Sequence, residues 1–118
     1  MKTKFRTLVI FGFLAPLPAI GQDHSLQCDI GPVTKSFGTV QWLVYSCDDK
    51  KTIVAVSPPD SPASPFYFII SPTEDGYHLG GEGAGDRAVT DAAYEDLQKL
   101  SSEDISALIS ETIEAKGQ

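Results

Sequence analysis

The segment Gly80 to Asp86 (GGEGAGD) is the first stretch of this sequence whose residue types could do chemistry. A dinucleotide fingerprint, G-x-G-x-x-G, binds a pyrophosphate with backbone amides at a helix N-terminus. Gly81 and Gly83 supply its first two glycines, but Asp86 stands where the third belongs, and its negative charge repels phosphate. The fingerprint also needs a strand after the helix, and none is indicated. We therefore predict no nucleotide site here.

The same segment approaches the calcium-binding nonapeptide G-G-x-G-x-D. Its first five positions match, but Gly85 takes the sixth, and the motif works only in tandem repeats. A lone calcium ion held by oxygen ligands from Glu82, Asp86 and Asp91 is a weaker alternative. We favour a structural role, because glycine permits the positive φ values that let a chain leave a strand and enter a helix. The sequence therefore predicts no metal and no cofactor, with a calcium- or ligand-binding loop at Gly80–Asp86 as the alternative.

Groups suited to catalysis are few. His24 lies next to the predicted mature terminus, and His78 lies within a predicted strand, so the two histidines show no metal-ligand spacing. No serine lies in a nucleophile motif such as G-x-S-x-G. The paired carboxylates are adjacent in sequence and lie in predicted turns, as in Asp48-Asp49, or in predicted helices, as in Glu95-Asp96, where adjacent residues do not face each other. We predict a protein that is not an enzyme; the less favoured alternative is a hydrolase with a site around His78.

The only two cysteines, Cys28 and Cys47, are predicted to form a disulfide. A hairpin that turns at Phe37-Gly38 would bring Cys28 opposite Cys47 and Val33 opposite Trp42. Closing such a loop stabilises a fold by roughly 3 kcal/mol.

The first 21 residues are typical of a secretory signal peptide. Lys2, Lys4 and Arg6 precede an apolar run, Leu8–Leu14, and small residues follow, so cleavage is expected before Gln22. A membrane span needs about 20 apolar residues, whereas about 13 are present and prolines interrupt them. We therefore predict an exported protein, either periplasmic or extracellular, with no stable membrane anchor after cleavage.

Residues 22–118 are predicted to form a single acidic domain. They contain 16 acidic and six basic residues, a formal net charge of −10, against −7 for the whole chain. Such a charge repels nucleic acid and anionic lipid surfaces. The sequence indicates no oligomeric state.

The sheet is expected to occupy residues 22–84. Val, Ile, Phe, Tyr and Trp are concentrated in runs that polar, glycine-rich or proline-rich connections separate. These runs predict an antiparallel meander of four to five strands at Cys28–Thr34, Gly38–Cys47, Thr52–Ser57, Phe66–Ser71 and Tyr77–Glu82.

After Gly85 the apolar period changes to that of helices, and residues 88–116 are predicted to form two of them. Thr90 is expected to cap the first, and Ser101, with Asp104 as its capping-box partner, the second. Because their apolar stripes must be covered, both helices are expected to pack on one face of the sheet. The predicted fold class is α+β.

The proline-rich segment between the third and fourth strands is the candidate interaction loop. Its proposed contact residues are Pro58, Pro59, Asp60, Pro62, Pro65, Phe66 and Tyr67. A proline-stiffened loop loses little entropy on docking, although prolines also protect sheet edges from aggregation. We therefore predict a non-enzymatic binding or inhibitor-type module that contacts an unidentified protein partner through its surface loops.

Overall fold

The computed structural model describes residues 25–117 of the chain. The predicted signal peptide, its cleavage site before Gln22, and His24 lie outside the described residues. In residues 25–117, five antiparallel strands in consecutive order are followed by two helices, which confirms the predicted α+β meander. The elements are β1 (Ile30–Phe37), β2 (Val40–Ser46), β3 (Ile53–Val56), β4 (Phe66–Thr73), β5 (Gly76–Gly83), α1 (Arg87–Gln98) and α2 (Ser102–Lys116).

The core lies between one face of the sheet and the two helices. Strand side chains alternate between faces, so every second residue of the central strands is buried. The sheet contributes Trp42, Val44, Ile53, Ala55, Phe68 and Ile70 to the core, and the helices contribute Ala93, Leu97, Ile105, Leu108 and Ile109. The helices therefore cover one face of the sheet.

The start of α1 differs from the prediction. Asp86 caps the helix, since its carboxylate accepts a hydrogen bond from the Ala88 backbone N–H at 2.9 Å. Thr90, the predicted cap, is instead buried in the first turn, where its hydroxyl donates to the Arg87 carbonyl at 3.3 Å. The prediction was wrong because Asp and Thr both suit a cap, and only the path of the preceding chain decides which one is used.

The start of α2 agrees with the prediction. The Ser101 hydroxyl accepts from the Asp104 backbone N–H at 3.0 Å, and the Asp104 carboxylate accepts from the Ser101 backbone N–H at 2.9 Å. Both bonds of the capping box are therefore present. This local motif needs only four consecutive residues, so it can be read from the sequence.

Several contacts fix α2 over the first two strands. The Ser46 and Thr112 hydroxyls share a hydrogen bond of 2.7 Å between fully buried side chains. Lys35 of β1 forms a salt bridge of 2.7 Å with Glu111. Because α2 lies over β1 and β2, β5 remains at the side of the sheet away from it.

The predicted disulfide is confirmed, but the predicted register is wrong. Cys28 and Cys47 are bonded, with an S–S distance of 2.01 Å. Val33 lies opposite Val44, two residues away from the predicted partner Trp42, because the hairpin turns at Gly38 and Thr39. The register shifts between Ile30 and Val33, and this irregularity returns the chain to an alignment in which the cysteines meet.

Replacing both cysteines with alanine is expected to lower the free energy of unfolding by roughly 2–4 kcal/mol, because the unfolded chain regains the entropy of an open loop. Urea denaturation under non-reducing conditions measures the change. Wild-type protein unfolded in the presence of a reductant is the control and should match the double variant. A double variant as stable as the oxidised wild type would contradict a stabilising role for the bond.

Candidate functional site

The sheet face opposite the helices is unusually apolar. Antiparallel sheets with one solvated face normally place polar residues there. In this sheet the central strands direct Leu43, Tyr45, Val54, Val56, Tyr67 and Ile69 to the helix-free face. Tyr67 is 37% exposed and the other five are half-buried by their neighbours. This surface, here called the open face, has the composition of a contact surface.

Charge is almost absent from the strands. Among the residues of the five strands, only Lys35 and Glu82 carry a formal charge. Lys35 pairs with Glu111 of α2 and so belongs to the helix-covered side. Glu82 lies opposite Tyr67 on the open face. The other acidic residues within residues 25–117 therefore lie in loops and helices, outside the strands.

The proline-rich loop is folded against the end of the sheet. The Ser57 hydroxyl accepts from the Phe66 backbone N–H and donates to the Phe66 carbonyl, both at 3.0 Å. Within the loop, the Ser61 N–H donates to the Pro58 carbonyl, and Ala63 is fully buried. The loop therefore has a defined path between β3 and β4.

The glycine-rich segment anchors this loop. The Asp86 N–H donates to the Pro62 carbonyl at 3.0 Å, and the Ala84 N–H donates to the Pro65 carbonyl at 2.8 Å. Between them, a Cβ atom placed on Gly85 would lie 1.8 Å from the Ala63 carbonyl oxygen. The segment thus brings its backbone against the loop backbone, which favours the structural role predicted for its glycines.

An apolar groove lies between the loop and the open face. Its volume is about 760 Å³, and its walls include Val54, Val56, Pro59, Pro65, Tyr67 and Glu82. Among the predicted contact residues, Pro59, Pro65, Phe66 and Tyr67 line the groove, whereas Pro58, Asp60 and Pro62 do not. Phe66 also packs edge-to-face on Trp42, with ring centroids 6.4 Å apart, so the groove wall is joined to the core.

One polar pair stands at the groove rim. The Tyr67 hydroxyl donates to Glu82 Oε1 at 2.9 Å. This hydrogen bond, the negative charge of Glu82 and partial desolvation together raise the pKa of Tyr67 above its usual value. The hydrogen bond holds the Glu82 carboxylate beside the apolar wall.

The three candidate calcium ligands have separate surroundings. Glu82 accepts from Tyr67 on the open face, Asp86 caps α1, and Asp91 is exposed on that helix. Within residues 25–117, no three His, Cys, Asp or Glu side chains are grouped so that they could hold a metal ion.

His78 is exposed on β5, opposite Ser71 of β4. Both line a shallow depression of about 330 Å³ that continues the open face toward the sheet edge and shares Tyr67 and Glu82 with the groove. Among the described residues, no hydrogen bond joins the Ser71 hydroxyl to the imidazole. His78 is therefore a polar surface group on the open face.

The sequence did not reveal which side chains would share the groove. Val54 and Val56 were predicted only as strand residues, and Glu82 only as a candidate metal ligand. Their signal was the run of strands that are apolar at nearly every position, which is typical of burial on both faces. That pattern indicates an apolar second face but does not specify which loop borders it.

No protein-family model, curated protein or solved structure matches this chain. In residues 25–117, no helix has the length and apolar character needed to cross a membrane. The Cys28–Cys47 disulfide is consistent with a protein that resides outside the cytoplasm.

Proposed function

We propose that this chain is an exported, non-enzymatic binding module that holds an apolar segment of a partner protein in the groove between its proline-rich loop and its open face. The observation that carries this proposal is the groove itself, an apolar depression of about 760 Å³ on a sheet face that has one charged strand residue. The module acts in the periplasm or the extracellular space, where its disulfide is stable.

Rigidity of the groove favours binding. Pro59 and Pro65 line it, and the loop is tied to the sheet by Ser57 and to the glycine-rich segment by the Pro62 and Pro65 carbonyls. Because these backbone positions are already ordered, little conformational entropy is lost when a ligand docks. The apolar area removed from water then contributes directly to affinity.

Charge narrows the class of partner. The predicted mature chain has a net charge of −10, and Glu82 stands at the groove rim. An acidic partner would be repelled, whereas a basic residue next to the bound apolar segment would approach Glu82. The expected ligand is therefore an apolar segment with a neutral or basic flank.

Photocrosslinking from the groove tests this proposal. A benzophenone amino acid replacing Tyr67 should capture a specific protein from the native exported fraction. The same residue replacing Ile113 is the control, because Ile113 is exposed to a similar degree, 41% against 37%, but lies on α2. Identical adduct patterns at both positions, or no adduct at position 67, would contradict a binding groove.

The captured partner then permits a quantitative measurement. We expect Tyr67→Ala to weaken binding by about 30-fold, because a tyrosine that a bound partner covers commonly contributes about 2 kcal/mol. Tyr94→Ala is the matched control, since Tyr94 is 39% exposed on α1 and does not line the groove. Isothermal titration calorimetry measures both affinities. Equal losses of affinity in the two variants would mean that the partner does not bind in the groove.

A further inference from the structure

The outer edge of β5 is an unprotected sheet edge. Within the described part of the chain β5 pairs only with β4, and its eight residues keep one continuous register from Gly76 opposite Thr73 to Gly83 opposite Phe66. The strand contains no proline, lysine or bulge, which are the usual features that prevent edges from pairing. The edge therefore offers a straight row of backbone donors and acceptors.

The opposite edge of the sheet is protected. β1 contains Pro32 and an irregularity in its register between Ile30 and Val33. α2 also packs against it. The contrast between the two edges indicates that β5 is left available for pairing.

The hydrogen-bond pattern shows which backbone groups of β5 face outward. The Ala84 N–H donates to the Pro65 carbonyl, and bonding toward one neighbour alternates along an antiparallel strand. Glu82, Gly80 and His78 accordingly direct their backbone groups to β4. The groups of Gly83, Gly81, Leu79 and Tyr77 point away from the sheet.

We propose that two copies of this chain pair through β5 in an antiparallel, two-fold arrangement centred on Gly80. In this register the outward backbone groups of Leu79 meet those of Gly81 in the second copy, and those of Tyr77 meet those of Gly83. The outward backbone groups of all four residues are then paired with backbone groups of the second copy. The two five-stranded sheets become one continuous sheet of ten strands.

The side chains of β5 complement each other in that register. On the helix side, the large side chains of Leu79 and Tyr77 each lie opposite a glycine of the second copy, which leaves room for them. On the open face, His78 of each copy lies opposite Glu82 of the other, so two pairs of imidazole and carboxylate form across the interface. These pairs offset part of the repulsion between two acidic chains.

This complementarity favours a second copy over an unrelated strand. An extended segment of another protein could use the same backbone groups, but the alternation of large residues with glycines and of His78 with Glu82 is matched by the strand itself. The two-fold axis runs perpendicular to the sheet, so both apolar grooves lie on the same face of the dimer. The pairing does not depend on the groove having a ligand.

Substitutions at Gly80 test the proposal with little disturbance of the monomer. A Cβ atom at this position would meet only the His78 ring, at 3.5 Å or beyond, and Gly80 does not have a positive φ. Across the proposed axis the two Gly80 residues face each other at about 4.5 Å between Cα atoms. Gly80→Lys would therefore place two like charges side by side and should raise the dimer dissociation constant at least about tenfold.

The measurement is sedimentation velocity over a concentration series of the mature protein. Wild type should show a dimer that dissociates on dilution, Gly80→Lys should be monomeric at the same concentrations, and Gly80→Val, the uncharged control, should remain a dimer. An equimolar mixture of Gly80→Lys and Gly80→Glu should form a heterodimer, because opposite charges then face each other.

Two results would overturn the proposal. One is wild-type protein that stays monomeric at its highest soluble concentration, which would leave the edge to a different partner. The other is a dimer that Gly80→Lys leaves intact, which would place the interface on another surface. Circular dichroism of each variant verifies that the monomer is folded.

Discussion

Gly85→Val is expected to lower the free energy of unfolding by about 3 kcal/mol or more, at the upper end of what overpacking costs. A Cβ atom at this position would lie 1.8 Å from the Ala63 carbonyl oxygen and 2.3 Å from its carbonyl carbon. Both are backbone atoms of a buried residue, so they cannot rotate away as the end of a side chain could. The loop would have to leave the 84–86 segment and lose the hydrogen bonds to Pro62 and Pro65.

Gly80→Val is the matched control for this variant. It makes the same chemical change five residues earlier, where the nearest atom is the His78 ring at 3.5 Å. Urea denaturation of both variants should show a large loss for Gly85→Val and little change for Gly80→Val. Similar stabilities for the two would mean that the loop does not pack against Gly85. Gly85→Val protein that remains folded should also fail to bind the captured partner in the calorimetric titration.

Trp42→Ala is expected to lower the free energy of unfolding by about 3–5 kcal/mol, as observed for large aromatic residues removed from cores. Trp42 is fully buried, and its ring centroid lies 5.2 Å from that of Phe68 and 6.4 Å from that of Phe66. Its indole N–H donates to the Phe37 carbonyl at 3.2 Å. The substitution therefore leaves a cavity beneath the groove and removes the donor from a buried carbonyl.

Two further variants separate the contribution of the buried ring from that of the indole N–H donor. Trp42→Phe keeps most of the buried ring but removes the N–H donor, so its loss should be clearly smaller than that of Trp42→Ala. Tyr45→Ala removes an aromatic ring from the half-buried open face and should cost less than either core truncation. Because Trp42 is the only tryptophan, unfolding of every variant should be followed by circular dichroism. Equal losses for the alanine and phenylalanine variants would contradict the importance of ring packing.

Local patterns in the sequence were sufficient for much of the fold. Runs of β-branched and aromatic residues between polar, glycine-rich or proline-rich connections located all five strands, because these residue types suit a pleated, half-buried surface. The Ser101 capping box located the start of α2, because its two hydrogen bonds join residues three positions apart. The short connections between the strands then made a meander the simplest topology.

The predictions of the β1–β2 turn and of the α1 cap were wrong because the local sequence suits two alternatives equally well in each case. A turn at Phe37-Gly38 and one at Gly38-Thr39 use similar residues, yet the choice displaces Trp42 relative to its partner strand. Both registers leave Trp42 on the helix side, because they differ by two residues. In the observed one the Gly38 N–H of the turn donates to the Asp96 carboxylate of α1 at 2.6 Å, and the irregularity between Ile30 and Val33 realigns the cysteines. The assignment of the α1 cap was likewise decided by the contact of Asp86 with Pro62.

The sequence by itself determined the order of elements, the disulfide partners and the acidic character of the chain, because these follow from residue types and short-range periodicity. Only the tertiary structure decided that Gly85 packs on Ala63, that Tyr67 donates to Glu82, and that the proline-rich loop and the open face enclose a groove. The first two of these contacts join residues that are 22 and 15 positions apart in the chain. They depend on the packing of the whole sheet, and no local propensity specifies them.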